Sequence, residues 1–196
     1  MKKIILLLLF STVFNLSQIF AQDNKLPIQV SFFNNGTSLP TKPFSRPIHP
    51  GIQVGTWKVL KERSKSSFIQ NFKLGYFFHR YNQHGIQLFT ETAYRFKIYK
   101  GLGGETMLGL GYLHSIPDMQ IFVLKDGEYV KKRNWGRPQI MFGLAGGLFY
   151  QFEKDFPAAI FLNLHFWMQA PYVKSYVPML PNTSLHLGLR FNINKN

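Results

Sequence analysis

The sequence predicts an all-β, eight-stranded antiparallel barrel, and three observations support this fold class. Apolar and polar residues alternate with a period of two over eight separate runs, which is typical of half-buried strands. The connections between successive runs alternate between short and long, as in a series of hairpins. The aromatic residues, which include 20 Phe and 9 Tyr, are sorted toward the two ends of the runs. The runs cover residues 28–33, 52–56, 68–79, 86–98, 102–112, 139–152, 160–169 and 184–193.

The first two runs carry the weakest pattern. Pro27 precedes the first run, and Trp57 interrupts the alternation at the end of the second. The six later runs alternate regularly, so their assignment as strands depends on the period alone. No internal repeat beyond the hairpin is visible, which predicts a single domain.

Short and polar connections alternate with long ones along the chain. The short ones are 61–66, 100–101 and 153–157; the long ones are 36–50, 115–138 and 171–183, and 81–84 is a short member of the long series. Within the longest connection, Asp126-Gly127 lies between two apolar segments and predicts a hairpin turn. We therefore expect this loop to extend two strands beyond the barrel.

The apolar face of the strands predicts what surrounds the barrel. Aliphatic residues occupy its middle and rings occupy both ends, which is typical of a barrel that crosses a membrane between two aromatic belts. The opposite face carries Gly and Ala residues, which suit the crowded inside of an eight-stranded barrel. A soluble barrel with the apolar face inside is the alternative. The rings of the belts are Tyr76, Phe78, Tyr94, Phe96, Tyr112, Tyr150, Phe152, Phe166 and Phe191, and the aliphatic residues include Leu108, Leu110, Leu144, Leu162, Leu164 and Leu187.

Residues 1–21 are predicted to be a secretory signal peptide. Lys2 and Lys3 precede a short apolar run, and the small residue Ala21 stands at the expected cleavage site. Cleavage would leave residues 22–196 as the barrel domain and lower the net charge from +14 to +12. So basic a surface favours anionic partners, and export disfavours nucleic acid among them. The chain has no cysteine, which excludes disulfides, thiolate catalysis and a lipidated cysteine.

The mature segment as a whole resembles the small eight-stranded outer-membrane β-barrel proteins of Gram-negative bacteria. Residues 49–53, 74–81 and 181–189 also look like segments of a group of barrel proteins from Bacteroidetes-type bacteria. The resemblance implies a transmembrane barrel in the bacterial outer membrane, with short periplasmic turns and longer extracellular loops. It implies no activity.

Charged residues are predicted to face the lumen on several strands. An eight-stranded barrel has no open channel, so we expect these charges to pair with one another or to meet trapped water. The preferred interpretation is an ion-pair plug, and a proton or ion path is the alternative. The residues are Lys73, Glu91, Arg95, Lys97, Glu105 and Arg190.

Ser184 and His186 are weak candidates for catalytic residues. An outer-membrane esterase needs a Ser–His pair oriented by a carboxylate, and lipid A deacylases carry such a set on a barrel of this size. Their motif has His two residues before Ser on the lipid-facing surface. In this chain the order is reversed and both residues are predicted to face inward. Chance spacing is therefore preferred, and no catalytic residue is assigned.

The six histidines predict no metal site, because they show neither HxH nor HxxxH spacing. His165 and His186 are predicted to share the inward face of neighbouring strands. His49, His79, His84 and His114 are expected near the long loops. We expect no cofactor.

Basic residues gather at the long-loop end, and we predict that they bind the phosphates of lipopolysaccharide. A protein partner, a surface glycan or a merely solvated rim are the alternatives. The predicted function is a non-catalytic structural or interaction barrel, with a place as an accessory subunit of an envelope complex and other envelope proteins as candidate partners. A lipid A-modifying enzyme and a narrow transport or ligand-binding barrel are the alternatives. The rim residues are Lys42, Arg46, Arg80, Lys131, Lys132, Arg133, Arg137 and Lys174.

Overall fold

The computed structural model describes residues 25–39, 48–125, 127–132, 134–152, 158–173 and 176–194. The predicted signal peptide lies outside these residues. Among the described residues, no helix is long and apolar enough to cross a membrane. The strands of this part of the chain are β1 (Lys25–Gly36), β2 (Pro50–Glu62), β3 (Ser66–His79), β4 (Gln83–Tyr99), β5 (Leu102–Pro117), β6 (Ile121–Lys125), β7 (Glu128–Lys132), β8 (Arg137–Gln151), β9 (Ala158–Ala170) and β10 (Leu180–Asn194).

Eight of these strands close into an antiparallel barrel in the order β1-β10-β9-β8-β5-β4-β3-β2. The closing pair is β1 with β10, which stay in register from Lys25↔Asn194 to Gly36↔Thr183. Closure satisfies the backbone groups of both edges, so the sheet has no free edge. The predicted all-β, eight-stranded antiparallel barrel is confirmed.

The two remaining strands form the projecting hairpin that Asp126-Gly127 predicts. β6 pairs with β7 over five positions, centred on Val123↔Val130, between the barrel strands β5 and β8. Gly127 has a φ of 85°, a left-handed conformation that glycine adopts without strain. The prediction of this hairpin is confirmed.

Trp57 does not end β2, although it interrupts the alternation in sequence. Its ring packs against the buried cluster of Ile69, Ala93, Met107 and Ala145 inside the barrel. The inward residues that precede Trp57 on β2 are small or polar. An aromatic ring at the next inward position therefore interrupts the alternation in sequence without ending the strand. β2 continues to Glu62 and shifts its register on β3 between Val59 and Lys61.

The apolar face of the barrel points outward. Leu108 is 72% exposed, Leu144 60% and Leu187 55%, whereas their inward neighbours Met107, Ala145 and His186 are buried. The alternative of a soluble barrel with the apolar face inside is therefore wrong for this chain. Most predicted belt residues are exposed, namely Tyr76, Tyr94, Phe96, Tyr112, Tyr150 and Phe152, while Phe78, Phe166 and Phe191 are half-buried.

We call the end with the connections 63–65 and 100–101 the short-turn end, and the opposite end, with the hairpin β6–β7, the long-loop end. Both ends of the barrel sheet, Lys25 and Asn194, lie at the short-turn end. This polarity matches the alternation of connection lengths in the sequence.

Candidate functional site

The lumen is packed with side chains in successive layers, and this interior holds the predicted lumen charges except Lys97, together with Ser184 and His186. Nearest the long-loop end is a layer of amides, in which Gln83 Nε2 donates to Gln169 Oε1 at 3.0 Å and Asn35 Nδ2 donates to Asn182 Oδ1 at 3.2 Å. Below it lies an apolar cluster in which no residue is more than 8% exposed, formed by Phe33, Phe77, Phe89, Leu113, Met141 and Trp167. The sequence signal for this cluster is weak, because its rings stand at the polar parity of their strands.

The first charged cluster lies on β3, β4 and β9. Lys73 Nζ is 2.5 Å from Glu91 Oε2, and both side chains are almost fully buried. The other carboxylate oxygen, Glu91 Oε1, is 3.2 Å from His165 Nδ1. Gly109 leaves room for this carboxylate, since a Cβ there would lie 2.8 Å from Glu91 Cγ. The structure thus brings together two predicted lumen charges and a histidine.

The second charged cluster is centred on Glu105, which is 1% exposed. Arg95 Nε donates to Glu105 Oε2 at 2.8 Å, and Arg190 Nη2 donates to Glu105 Oε1 at 2.6 Å. Asn163 Nδ2 donates to the same Oε1 at 2.7 Å, and Arg190 Nε reaches Gln29 Oε1 at 3.3 Å. One carboxylate therefore serves two guanidinium groups and an amide.

Lys97 is the exception among the predicted lumen charges. Its position on β4, opposite Gly103 of β5, has the inward parity of Arg95. Its side chain is nevertheless exposed, because the residue lies where the barrel opens at the short-turn end. Lys97 therefore does not belong to the buried clusters, and this part of the prediction is corrected.

Ser184 and His186 lie close together inside the barrel. Ser184 Oγ is 3.0 Å from His186 Nε2, and His186 Nδ1 is 3.4 Å from Ser31 Oγ. The imidazole rings of His186 and His165 are 4.2 Å apart between centroids. Glu91 contacts His165, so a carboxylate lies one imidazole away from His186. Spacing along one strand could not show this, because the His165 contact depends on how β9 and β10 pair.

The distance between Ser184 and His186 is that of a catalytic Ser–His pair. The pair nevertheless lacks access for a substrate. Ser184 is 1% exposed and His186 3%. The adjoining cavity is about 20 Å³, which is enough for about one water molecule. In a hydrolase the carboxylate would orient the histidine that activates the serine, whereas Glu91 here binds the other histidine. This burial favours a polar filler of the lumen over a catalytic pair.

At the long-loop end two histidine rings stack. The centroids of His49 and His79 are 3.6 Å apart, and His79 Nε2 is 3.2 Å from Thr37 Oγ1. Burial and the neighbouring His79 lower the pKa of His49. His84 lies 3.3 Å from Asp118, and His114 lies 2.8 Å from the carbonyl oxygen of Trp135. In the part of the chain that the structure describes, no group of three or more His, Asp or Glu side chains could hold a metal ion.

Part of the predicted basic rim can be placed. Arg80, Lys131 and Arg137 are exposed near the long-loop end. Two of them lie against tyrosine rings, with Arg80 4.7 Å from the centroid of Tyr81 and Arg137 5.2 Å from that of Tyr172. The side chain of Lys132 and the whole of Lys42, Arg46, Arg133 and Lys174 lie outside the described residues.

Comparison with known proteins identifies structures of similar architecture. No protein-family model matches the chain, and no curated protein matches it significantly. The crystal structure of the outer membrane enzyme PagL matches with a TM-score of 0.49 and 11% identity, over 85% of this chain and 99% of that chain. Neisserial surface protein A matches with a TM-score of 0.48 and 10% identity, over 86% and 96%. The attachment invasion locus protein Ail of Yersinia pestis matches with a TM-score of 0.41 and 12% identity, over 86% and 98%.

These matches concern the fold of small outer-membrane barrels and assign no activity to this chain. The resemblance to barrel proteins of Bacteroidetes-type bacteria stays a prediction.

Proposed function

We propose that the protein is an integral outer-membrane barrel with a structural or interaction role, and that it neither conducts solutes nor catalyses a reaction. The observation that carries the proposal is the inversion of polarity: leucines cover the outer face while charges and amides fill the lumen. In water such an outer face would be a large apolar surface that soluble monomers rarely expose. In a bilayer the same face contacts acyl chains at no cost.

The ends of the barrel indicate its orientation. Short turns lie on the periplasmic side of outer-membrane barrels and long loops on the outside. By this rule the hairpin β6–β7 projects from the cell. Its side chains Phe122, Leu124 and Tyr129 are 53%, 60% and 76% exposed. An exposed apolar hairpin above the membrane is suited to contact another envelope molecule.

The packed lumen argues against transport. The apolar ring cluster and the two charged clusters occupy successive levels of the barrel, so a solute would have to displace buried ion pairs. Breaking such pairs is costly, because each leaves a charge buried without its partner. We therefore place the function on the outer surface and the rim.

A lipid A-modifying enzyme is the second candidate, and the 3.0 Å contact between Ser184 and His186 is the observation that favours it. It requires an acyl ester to reach a serine that is 1% exposed. Lipid A and phospholipid turnover assays on purified protein and on Ser184→Ala test this candidate. Turnover that Ser184→Ala abolishes would establish the enzyme.

The main proposal is tested by native purification in mild detergent, with mass spectrometry of the proteins and lipids that accompany the barrel. A variant that replaces residues 121–132 by a short Gly-Ser turn serves as the matched sample. We expect an envelope partner that is lost from the variant, and no conductance in planar bilayers from either protein. A solitary barrel that conducts ions would contradict the proposal.

A further inference from the structure

The cluster around Glu105 carries more positive than negative charge. Arg95 and Arg190 share this single carboxylate, and their side chains are 12% and 5% exposed. Asn163 also donates to Glu105, so both carboxylate oxygens already accept hydrogen bonds. Buried charges are normally balanced, because an unpaired one loses its hydration without compensation. Among the described residues, one guanidinium charge in this cluster therefore has no carboxylate of its own.

One hydrogen-bond donor of Arg95 also lacks an acceptor. Nη2 of Arg95 is buried and has no hydrogen-bond partner among the described residues. The contacts of this side chain are the Nε bond to Glu105 and the indole ring of Trp57, whose centroid is 5.7 Å from Arg95 Cζ. A guanidinium group presents its donors in a planar fork that fits two oxygens of one oxyanion. The Nη2 side of the Arg95 fork therefore lacks such an acceptor in the part of the chain that the structure describes.

A cavity of about 110 Å³ adjoins this arginine pair at the short-turn end. Arg95 and Arg190 both line it, and the indole and the amides of the other lining residues can donate as well. Glu105 is not among the lining residues, so in the described part of the chain the wall carries no carboxylate. A concave site with cationic donors and no anionic group selects an anion. The lining residues are Trp57, Arg95, Phe149, Gln151, Ala159, Arg190, Phe191 and Asn192.

Lysines mark the approach to this cavity. Lys65, Lys97 and Lys100 line a groove at the mouth of the barrel, and the groove shares Phe149 and Gln151 with the cavity wall. Positive side chains along a concave path concentrate anions and speed their entry. The exposed position of Lys97, which its parity alone did not predict, fits this role.

We propose that the short-turn end of the barrel binds an oxyanion of the phosphate class between Arg95 and Arg190. The ligand binds in the cavity that both arginines line and neutralises the surplus charge of the Glu105 cluster. Inorganic phosphate and the phosphate of a lipid headgroup share this chemistry. The site lies at the opposite end from the basic rim and does not depend on the proposed interaction role.

The direct test is isothermal titration of inorganic phosphate into the full-length mature protein in lipid-free maltoside micelles, at constant ionic strength maintained with chloride. We expect saturable binding of one phosphate per barrel. If binding appears only in nanodiscs that contain phosphatidylglycerol, the phosphate is that of a headgroup. Absence of binding in both preparations would overturn the proposal.

Arg95→Lys is the informative variant, because it keeps the positive charge beside Glu105 and removes the free guanidinium donor. We expect phosphate affinity to fall by about tenfold or more, the effect of losing a charge-assisted hydrogen bond. Arg63→Gln removes an exposed cation from the same end, outside the cavity wall, and should leave the affinity unchanged. Equal affinities in Arg95→Lys and wild type would contradict the assignment.

Glu153 and Asp155 stand between β8 and β9 in the sequence, outside the described residues. The double variant Glu153→Gln/Asp155→Asn tests whether the acceptor belongs to the chain. Retained phosphate binding in wild type and variant supports an external ligand, whereas binding that only the variant shows would overturn it. If Arg95→Lys does not fold, an anomalous peak between Arg95 and Arg190 in wild-type crystals soaked in selenate supports the site, and its absence contradicts it.

Discussion

Lys73 and Glu91 form an ion pair inside the barrel, with Nζ 2.5 Å from Oε2 and neither side chain more than 5% exposed. The two residues stand on neighbouring strands, two positions apart in register, since Lys73 pairs with Phe89 and Glu91 with Asn71. The pair is therefore diagonal across β3 and β4. The pair lies between the apolar cluster that contains Phe89 and the one that contains Ala93. We expect it to hold β3 and β4 in this register.

Removing one partner of this pair should cost far more than removing both charges. Lys73→Met leaves Glu91 buried beside a neutral side chain, and we expect a loss of about 3–5 kcal/mol in the free energy of unfolding. In Lys73→Met/Glu91→Gln the amide keeps a contact for His165, and the loss should be smaller than in the single variant. Urea unfolding in detergent, followed by tryptophan fluorescence, measures both. A double variant that loses the sum of the single effects would contradict the pairing.

Glu105→Ala should be the most destabilising exchange of a carboxylate in the described chain. It removes the acceptor of two guanidinium groups and one amide at once, and we expect a loss of about 3–5 kcal/mol or failure to fold. Glu128→Ala is the control, because Glu128 is exposed in the hairpin outside the barrel. Unfolding midpoints in the same detergent compare the two. Equal unfolding midpoints in the two variants would contradict the interpretation of the lumen charges as an ion-pair plug.

Gly109→Ala and Gly146→Ala test whether the lumen is filled. A Cβ at Gly109 would lie 2.8 Å from Glu91 Cγ, whereas at Gly146 the nearest atom is 3.8 Å away. We expect Gly109→Ala to cost about 1–3 kcal/mol through overpacking and Gly146→Ala to be almost neutral. The heat-induced shift of the folded band on an electrophoresis gel gives both stabilities. Tolerance at Gly109 equal to that at Gly146 would indicate an interior with free space.

The basic rim is tested by charge reversal at its described members. Arg80→Glu/Lys131→Glu should lower the amount of lipopolysaccharide that co-purifies with the barrel, because phosphate contacts become repulsive. Lys61→Glu/Arg63→Glu makes the same change in charge at the short-turn end, where no lipopolysaccharide is expected. Quantitative assay of bound lipopolysaccharide compares the two variants. Equal retention by both would favour the solvated rim.

The barrel and its hairpin could be predicted because each strand shows its own period of two. The turn residues Asp126-Gly127 predict the hairpin β6–β7 from local sequence as well. Parity also showed which residues face inward. Parity does not show how deep a residue lies, so it predicts an inward position for Lys97, which is exposed at the open end of the barrel.

The partners of the lumen charges could not be predicted, because they depend on how strands stagger around the barrel. His165 contacts Glu91 of β4 from β9, and Asn163 contacts Glu105 of β5. These residues are far apart in the chain, and no local pattern links them. The contact of the His186 ring with that of His165, which in turn contacts Glu91, depends on the same stagger.

The outward direction of the leucines is tested most directly by electron paramagnetic resonance of single spin labels. The chain has no cysteine, so Leu144→Cys, and Tyr129→Cys in the projecting hairpin, each give one unique label. In lipid bilayers we expect the label at 144 to be relaxed by oxygen and shielded from a water-soluble nickel complex, with the reverse at 129. A label at 144 that the nickel complex reaches as readily as the label at 129 would contradict a membrane-spanning barrel.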